Sequence, residues 1–281
     1  MNDINQEMAN ATQLLRNKYS PEGSLLRKDQ MHLLDMVFTL DEICKKHGIE
    51  WWLSSGTLLG AARHQGFIPW DDDMDIVMLN KDYKKLLKIL AKENLQKYVM
   101  HSLESDFNYI NIFGKFRERE GVAKTGGWYD YYAYKGIGFD IFSIERVPYW
   151  GARLADSIYN RILGRAIRIK NNRTRKVYIR TFQALLFNVF FPIIRVIGYL
   201  TFCKEYHYTL GTGWPKHTFY MKDTFPLTTL SFEGFELPAP HNPDNYLTRV
   251  YGDWRKLPTD EQIKNAIHCQ AYRDEIFGKD K

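Results

Sequence analysis

Hydrophobic residues recur along much of this chain at intervals of three and four, and a few short continuous runs interrupt that rhythm. Leu33, Leu34, Val37, Phe38, Leu40 and Ile43 keep helical spacing, which predicts a helix from a cap at Asp29 through Lys46, stopped by Gly48. The segment before it, to about Ser20, reads as a peripheral helix ending near Pro21 and Gly23. Ile49 to Leu53 predicts a short strand. Ser54-Ser55-Gly56-Thr57 then turns into a short helix carrying Arg63 and His64 towards its end. Ile76-Val77-Met78-Leu79 predicts a buried strand, and Asn80 or Lys81 opens a helix on Tyr83, Leu86, Leu87 and Leu90. Strand-like segments follow at 98–103, 109–117 and 138–144. This order predicts an α/β (α+β) fold around a small mixed sheet. Towards the C-terminus a helix is predicted over 242–251, a turn at Gly252-Asp253-Trp254, and a last helix from about Thr259.

From Arg153 to Arg180 the pattern changes to nine Lys/Arg against one acid, with Arg161, Arg165 and Arg168 on one helical face. An apolar and aromatic run follows, Phe182 to Cys203, interrupted by Gln183, Asn188, Pro192 and Arg195. An Arg near the middle of a membrane span costs roughly 2.5–3.5 kcal/mol on insertion scales, and Pro192 breaks or kinks a helix. Two shorter amphipathic helices are therefore expected, packed in the core or lying in a membrane interface. The organisation expected is a catalytic core over 1–150, a helical basic and apolar insertion over 151–215, and a C-terminal segment over 216–281 that completes the site.

At 281 residues with 44% hydrophobic and 26% charged, the chain has the means to bury a core, so disorder is not expected. Its net charge of +6 predicts attraction to phosphates, nucleic acid or anionic lipid. Cys44, Cys203 and Cys269 are far apart, which excludes a zinc-finger pattern and a disulfide framework and predicts a reducing compartment. The first residues lack the order of a signal peptide, so a cytoplasmic location is expected.

Against this basic background, Asp71, Asp72, Asp73 and Asp75 place four carboxylates in five residues directly before an apolar strand. Such repulsion is tolerated where a cation sits among the carboxylates, and Mg²⁺ or Mn²⁺ takes oxygen donors of this kind. On a strand, Asp73 and Asp75 would face one side together while Met74 and Ile76 face the core. An acidic surface loop is the bland alternative. The Asp-Asp-x-x-Asp pattern of prenyl-diphosphate enzymes is another, but that motif needs a helix, and Pro69 and the strand after Asp75 deny it one. A Gly-rich turn at Gly56-Thr57 lets backbone N–H groups approach a diphosphate. Asp140, within Gly138-Phe139-Asp140-Ile141-Phe142, supplies a third carboxylate in an apolar strand, where an unpaired charge would be costly; a strand-end salt bridge is its ordinary explanation. Together these resemble the layout of polymerase-β-like nucleotidyltransferases.

Residues 56–76 in full, from Gly56-Thr57-Leu58-Leu59-Gly60 through Ile68-Pro69-Trp70 to Asp75-Ile76, resemble the signature of the LicD family, phosphotransferases with a nucleotidyltransferase fold related to the fukutin-related proteins. Lys115-x-Arg117, Gly138-x-Asp140-Ile141-Phe142 and Tyr246-Leu247 … Tyr251-Gly252-Asp253-Trp254 … Pro258 continue the resemblance in order. It implies transfer of an alcohol phosphate, typically phosphocholine, from a CDP-activated donor such as CDP-choline to a hydroxyl of a surface glycan or its lipid-linked precursor. Asp73, Asp75 and Asp140 would be the metal ligands and catalytic carboxylates, and Gly56, Thr57, Arg63, Lys115 and Arg117 would meet the donor phosphates. Asp71 and Asp72 would support the loop, His64 would shuttle a proton or simply pack, and Tyr251, Asp253 and Trp254 would shape a pocket. The location implied is the inner face of the cytoplasmic membrane, peripherally held, with no nucleic-acid partner. Two other functions use the same residues: a nucleotidyltransferase releasing pyrophosphate, and a silent membrane-associated binding protein, which would have no reason to keep so costly a cluster.

Overall fold

Two helices open the chain, α1 (Asn2–Tyr19) and α2 (Leu25–His47). Ser24, not Asp29, caps α2, because its hydroxyl is placed to accept the Arg27 N–H. Gly48, at φ 58°, ends the helix with its N–H turned back to Lys45 O, as its sequence predicts. β1 (Trp51–Leu53) leads into α3 (Ser55–His64), and β2 (Asp75–Leu79) follows the acidic loop. The strand begins only at Asp75, so Asp73 lies in the loop and does not share a strand face with Asp75.

Next come α4 (Asn80–Glu93), β3 (Tyr98–His101), β4 (Gly114–Glu118), β5 (Gly138–Arg146), α5 (Tyr149–Ala166), α6 (Asn172–Leu185) and α7 (Phe191–Leu200). β6 (Glu205–Tyr208), β7 (Thr218–Tyr220) and α8 (Met221–Thr224) precede the hairpin β8 (Thr228–Phe232) and β9 (Phe235–Ala239). The chain closes with α9 (Pro243–Tyr251), α10 (Asp260–Ala266) and α11 (Gln270–Phe277). The computed structural model describes residues 2–93, 95–123, 126–267 and 269–278. Its mixed sheet and helices form the expected α+β, nucleotidyltransferase-like core. Contacts divide the chain into two units, Met1–Ile76 with Phe225–Lys281, and Val77–Thr224.

In the first unit, β1 meets the opening of β2, with Ser54 N–H donating to Asp75 O at 3.2 Å. β9 packs against β1, and α3 packs against α1, β8 and α9. Glu233, at the tip of the hairpin, ties the parts together. Its buried carboxylate accepts from Arg16 at 3.0 Å, Arg27 at 2.7 Å and the Phe67 N–H at 3.0 Å. Three charge-assisted donors compensate its desolvation.

In the second unit, β5 is central. It pairs antiparallel with β4, which pairs with β3, and its far end pairs with β6. Asn80 is placed to donate to the Thr209 hydroxyl at 3.1 Å, holding the start of α4 near the end of β6. The expected break at Pro192 does not occur. Asn172 to Leu200 is one helix of 29 residues, carried through a π-turn at Leu186–Phe190. The Phe191 N–H reaches back to Leu186 O, and this wider turn accommodates a proline that lacks its own donor. Leu186, Phe191 and Ile194 enter a core with Val147, Tyr159 and Leu210, while Leu185, Val189, Ile193 and Val196 are more than half exposed. One flank of this helix thus packs in the core, as one of the two expected alternatives has it, and the other flank is exposed.

Candidate active site

The chain leaves β1 through Ser54 and Ser55, the latter at φ 48°, a left-handed conformation that a non-glycine residue adopts at some cost. Ser54 holds the cap position of α3 without a side-chain cap; its hydroxyl lies 3.3 Å from that of Tyr246. Gly56 follows in the first turn. A Cβ there would lie 3.0 Å from Asp71 Oδ2, so glycine lets this carboxylate come close to the helix start. Thr57 uses its hydroxyl oxygen to accept the Asp75 N–H at 2.7 Å, which leaves the hydroxyl proton to donate elsewhere.

The loop itself is braced from below. Gln30, buried on α2, donates to Asp71 O at 2.9 Å, and Asp71 Oδ1 accepts the Asp73 N–H at 3.4 Å. Among the described residues, Asp71, Asp72 and Asp73 can bring one oxygen each within 4.8 Å of one another. Asp75 and Asp140 are outside that group. Burial, and then the charges of Asp73 and Asp72, push the Asp71 carboxyl up to about 7. An all-oxygen donor set of adjacent carboxylates fits a hard divalent cation. Tyr251 faces the same place: desolvation of its hydroxyl, then Tyr246, Asp75 and Asp71, raise it above the ordinary tyrosine range.

Arg63 and His64 are buried in the last turn of α3. Arg63 donates to Trp254 O at 2.9 Å and Lys256 O at 3.3 Å, fastening the turn after α9. Its Nε–H donates to His64 Nε2 at 2.9 Å, and Thr12 Oγ1 lies 2.9 Å from Nδ1. Burial, and then the cations Arg63 and Arg16, lower His64 to about 3, so the ring is neutral and its ring nitrogens are held on both sides. Burial lowers Arg63 to about 10. Trp254 is buried and donates its indole N–H to Asp244 at 3.0 Å, whereas Asp253 is exposed.

Lys115, Arg117 and Asp140 come together in the second unit. The β4–β5 register sets Lys115 opposite Asp140 and Arg117 opposite Gly138. The Lys115 ammonium pairs with the Asp140 carboxylate and lies 5.7 Å from the Phe113 ring. Arg117 is buried; it donates to Tyr134 O at 2.8 Å, and its Nε has no hydrogen-bond partner. A buried guanidinium with a free donor is fit to receive an anion.

Sequence reasoning missed Gln30 and the contact between Ser54 and Tyr246, two residues it had named separately. Gln30 had a signal: a polar residue on the buried stripe of α2, between Leu26 and Leu33. The Ser54–Tyr246 contact joins residues 192 positions apart and had none.

Residues 48–155 match the family described as LicD/FKTN/FKRP, nucleotidyltransferase domain. Over 265 residues the chain is 26% identical to the lipopolysaccharide cholinephosphotransferase LicD of Haemophilus influenzae, covering 88% of this chain and 97% of that protein. It is 30% identical to the human ribitol 5-phosphate transferase FKRP over 99 residues, which is 30% of this chain and 20% of that one. Uncharacterized protein RP689 of Rickettsia prowazekii is 33% identical over 104 residues, 39% of its length.

Proposed function

Because this chain belongs to the LicD family, we propose that it transfers an alcohol phosphate, phosphocholine before others, from a CDP-activated donor to a hydroxyl of a glycan, with CMP as the leaving group. The observation that carries this reading is the carboxylate group of the acidic loop, drawn against the start of α3 by Gly56 and Thr57. The end-to-end similarity to a cholinephosphotransferase supports the choice of group transferred.

The acidic loop fits Mg²⁺ or Mn²⁺, and Asp73 and Asp75, with Asp71 and Asp72 beside them, would hold it. A divalent ion bound there would neutralise diphosphate charge and polarise the phosphorus under attack. The first-turn N–H groups of α3 and the Thr57 hydroxyl would bind donor phosphate oxygens. The acceptor hydroxyl would attack the phosphorus bearing the alcohol, breaking its bond to the bridging oxygen that leaves with CMP. Lys115 and Arg117 would bind phosphate oxygens, and Asp140 would take the hydroxyl proton as Lys115 moves to the phosphate. The protein would work at the cytoplasmic face of a membrane on a lipid-linked acceptor.

The test is product identity. With Mg²⁺ and a panel of CDP-alcohols and nucleoside triphosphates, CMP is expected in proportion to modified glycan. Pyrophosphate from a triphosphate, with no CMP from any CDP-alcohol, would replace this reading with nucleotidyl transfer. No turnover of either kind, with both ligand classes bound, would make the chain a binding protein.

A further inference from the structure

Among the described residues, the helix Asn172–Leu200 is long and apolar enough to cross a membrane by length and composition, yet 28% of its most apolar window is buried in the protein. That buried flank is tied by polar bonds as well as packing. Gln183 donates to the Tyr159 hydroxyl at 2.7 Å, Arg195 grips Glu145 at 2.6 and 3.1 Å, and Arg180 donates to the carbonyls of Leu103 and Asp106. Crossing a bilayer would pull these groups into hydrocarbon or strip them of partners.

The opposite flank has another character. Leu185, Val189, Ile193, Val196 and Leu200 follow one another at intervals of three or four, each more than half exposed. At the end of this stripe α5 approaches α7 closely: a Cβ on Gly151 would lie 2.5 Å from Ile194, and one on Gly198 2.9 Å from Pro148. Trp150, exposed beside that approach, and Tyr199, with the Arg146 guanidinium 5.8 Å from its ring, are the amphipathic side chains that favour a lipid–water boundary. The exposed face of α5 continues from Trp150 and Leu154 to Arg161 and Arg165, while Arg168, expected on the same helical face, is exposed in the turn just after α5. Asp156, the one acid on α5, is buried and accepts the Gly213 N–H at 3.1 Å.

We infer that these two helices form a monotopic docking surface for an anionic bilayer. The apolar stripe lies in the plane of the membrane at the acyl boundary, and Arg161, Arg165 and Arg168 lie among the phosphate headgroups. Charge decides the occupant. A second copy of the chain would set like cations against each other across a two-fold axis, whereas an anionic leaflet complements them.

The experiment is co-sedimentation of the full chain with phosphatidylcholine vesicles, with and without phosphatidylglycerol, at low and high salt. No substrate is present, so the outcome is independent of the reaction proposed above. Binding to the anionic vesicles is expected, weakened but not abolished by salt. The triple variant Val189→Ser/Ile193→Ser/Val196→Ser is expected to bind at least about tenfold more weakly at both salts. The variant Arg161→Gln/Arg165→Gln/Arg168→Gln, which leaves the stripe untouched, is expected to lose roughly a hundredfold at low salt and most of the anionic preference. Absence of the wild-type chain from the anionic pellet at low salt overturns the inference. So does resistance of the bound chain to alkaline carbonate, which marks a spanning helix. A lipid-free dimer that the serine variant dissolves, with no vesicle binding, would make the face a subunit contact instead.

Discussion

In the acidic loop, half-buried carboxylates crowd together where apolar side chains would pack more cheaply. Along the helix Asn172–Leu200, leucine, valine and isoleucine face water where charge would be the cheaper choice. The two regions are inverse departures from the rule that apolar groups go in and charges stay out. Each is held by a conventional scaffold: Gln30 and Thr57 under the loop, and the Phe191–Ile194 core under the helix. What the contrast teaches is where to look for partners. A region that breaks the partition rule on a well-packed support invites contact with something outside the chain, an ion being proposed for one region and a lipid surface for the other.

The largest effect that tests the contrast is on turnover. Asp73→Asn and Asp75→Asn keep shape but remove anionic oxygen, and each is expected to lower CMP release by about a thousandfold, near 4 kcal/mol of transition-state stabilisation. The melting temperature should hold or rise as repulsion is relieved. Near-normal rates in both would remove the ion from the argument.

Two adjacent leucines supply the next. Leu186 is buried and Leu185 is exposed. Leu186→Ala should cost about 2–4 kcal/mol in urea unfolding, whereas Leu185→Ala should stay within about 0.5 kcal/mol. Equal costs would mean that the exposed flank is covered in solution.

Protonation sharpens the comparison from the loop's side. His64, held near 3 in the fold against an unfolded value of about 6.5, binds its proton more readily when the chain unfolds. Its contribution is therefore complete above pH 6.5 and is lost as pH falls from there towards 3, at up to about 1.4 kcal/mol per unit. His64→Gln should flatten the stability–pH curve between pH 6.5 and 5. A parallel curve would show that other groups set the acid limit.

The smallest effect separates function from stability at a single methyl group. Gly56→Ala improves helix propensity by up to about 1 kcal/mol but sets a Cβ 3.0 Å from Asp71 Oδ2. Stability should hold or rise while turnover falls about tenfold. Unchanged turnover would mean that the close approach of Asp71 to α3 is incidental.

Much of this was legible beforehand, for physical reasons that differ by region. Periodicity located α2 and α4, because each buries one face against the protein and its apolar spacing records that. The acidic loop was legible because so many carboxylates together have few structural uses. Residues joined only by folding were not legible: the Glu233 clamp, the Ser54–Tyr246 contact and the turn by which Arg63 holds Trp254 and Lys256 are all long in sequence. The continuity of the helix through Pro192 was missed for another reason. Proline removes one hydrogen bond, and a π-turn is a local remedy that leaves no mark in the hydrophobic pattern.

The first unit is assembled from both ends of the chain, with the whole second unit encoded between Ile76 and Phe225. On the ribosome the second unit is therefore complete as a continuous stretch while the first still lacks β8, β9 and α9. Until those emerge, β1 has no β9 beside it, and Arg16 and Arg27 have no Glu233. The order of translation thus leaves the β1–β9 packing and the Glu233 clamp to the last stretch of chain, whereas the Gln30 and Thr57 supports of the acidic loop are available from the start.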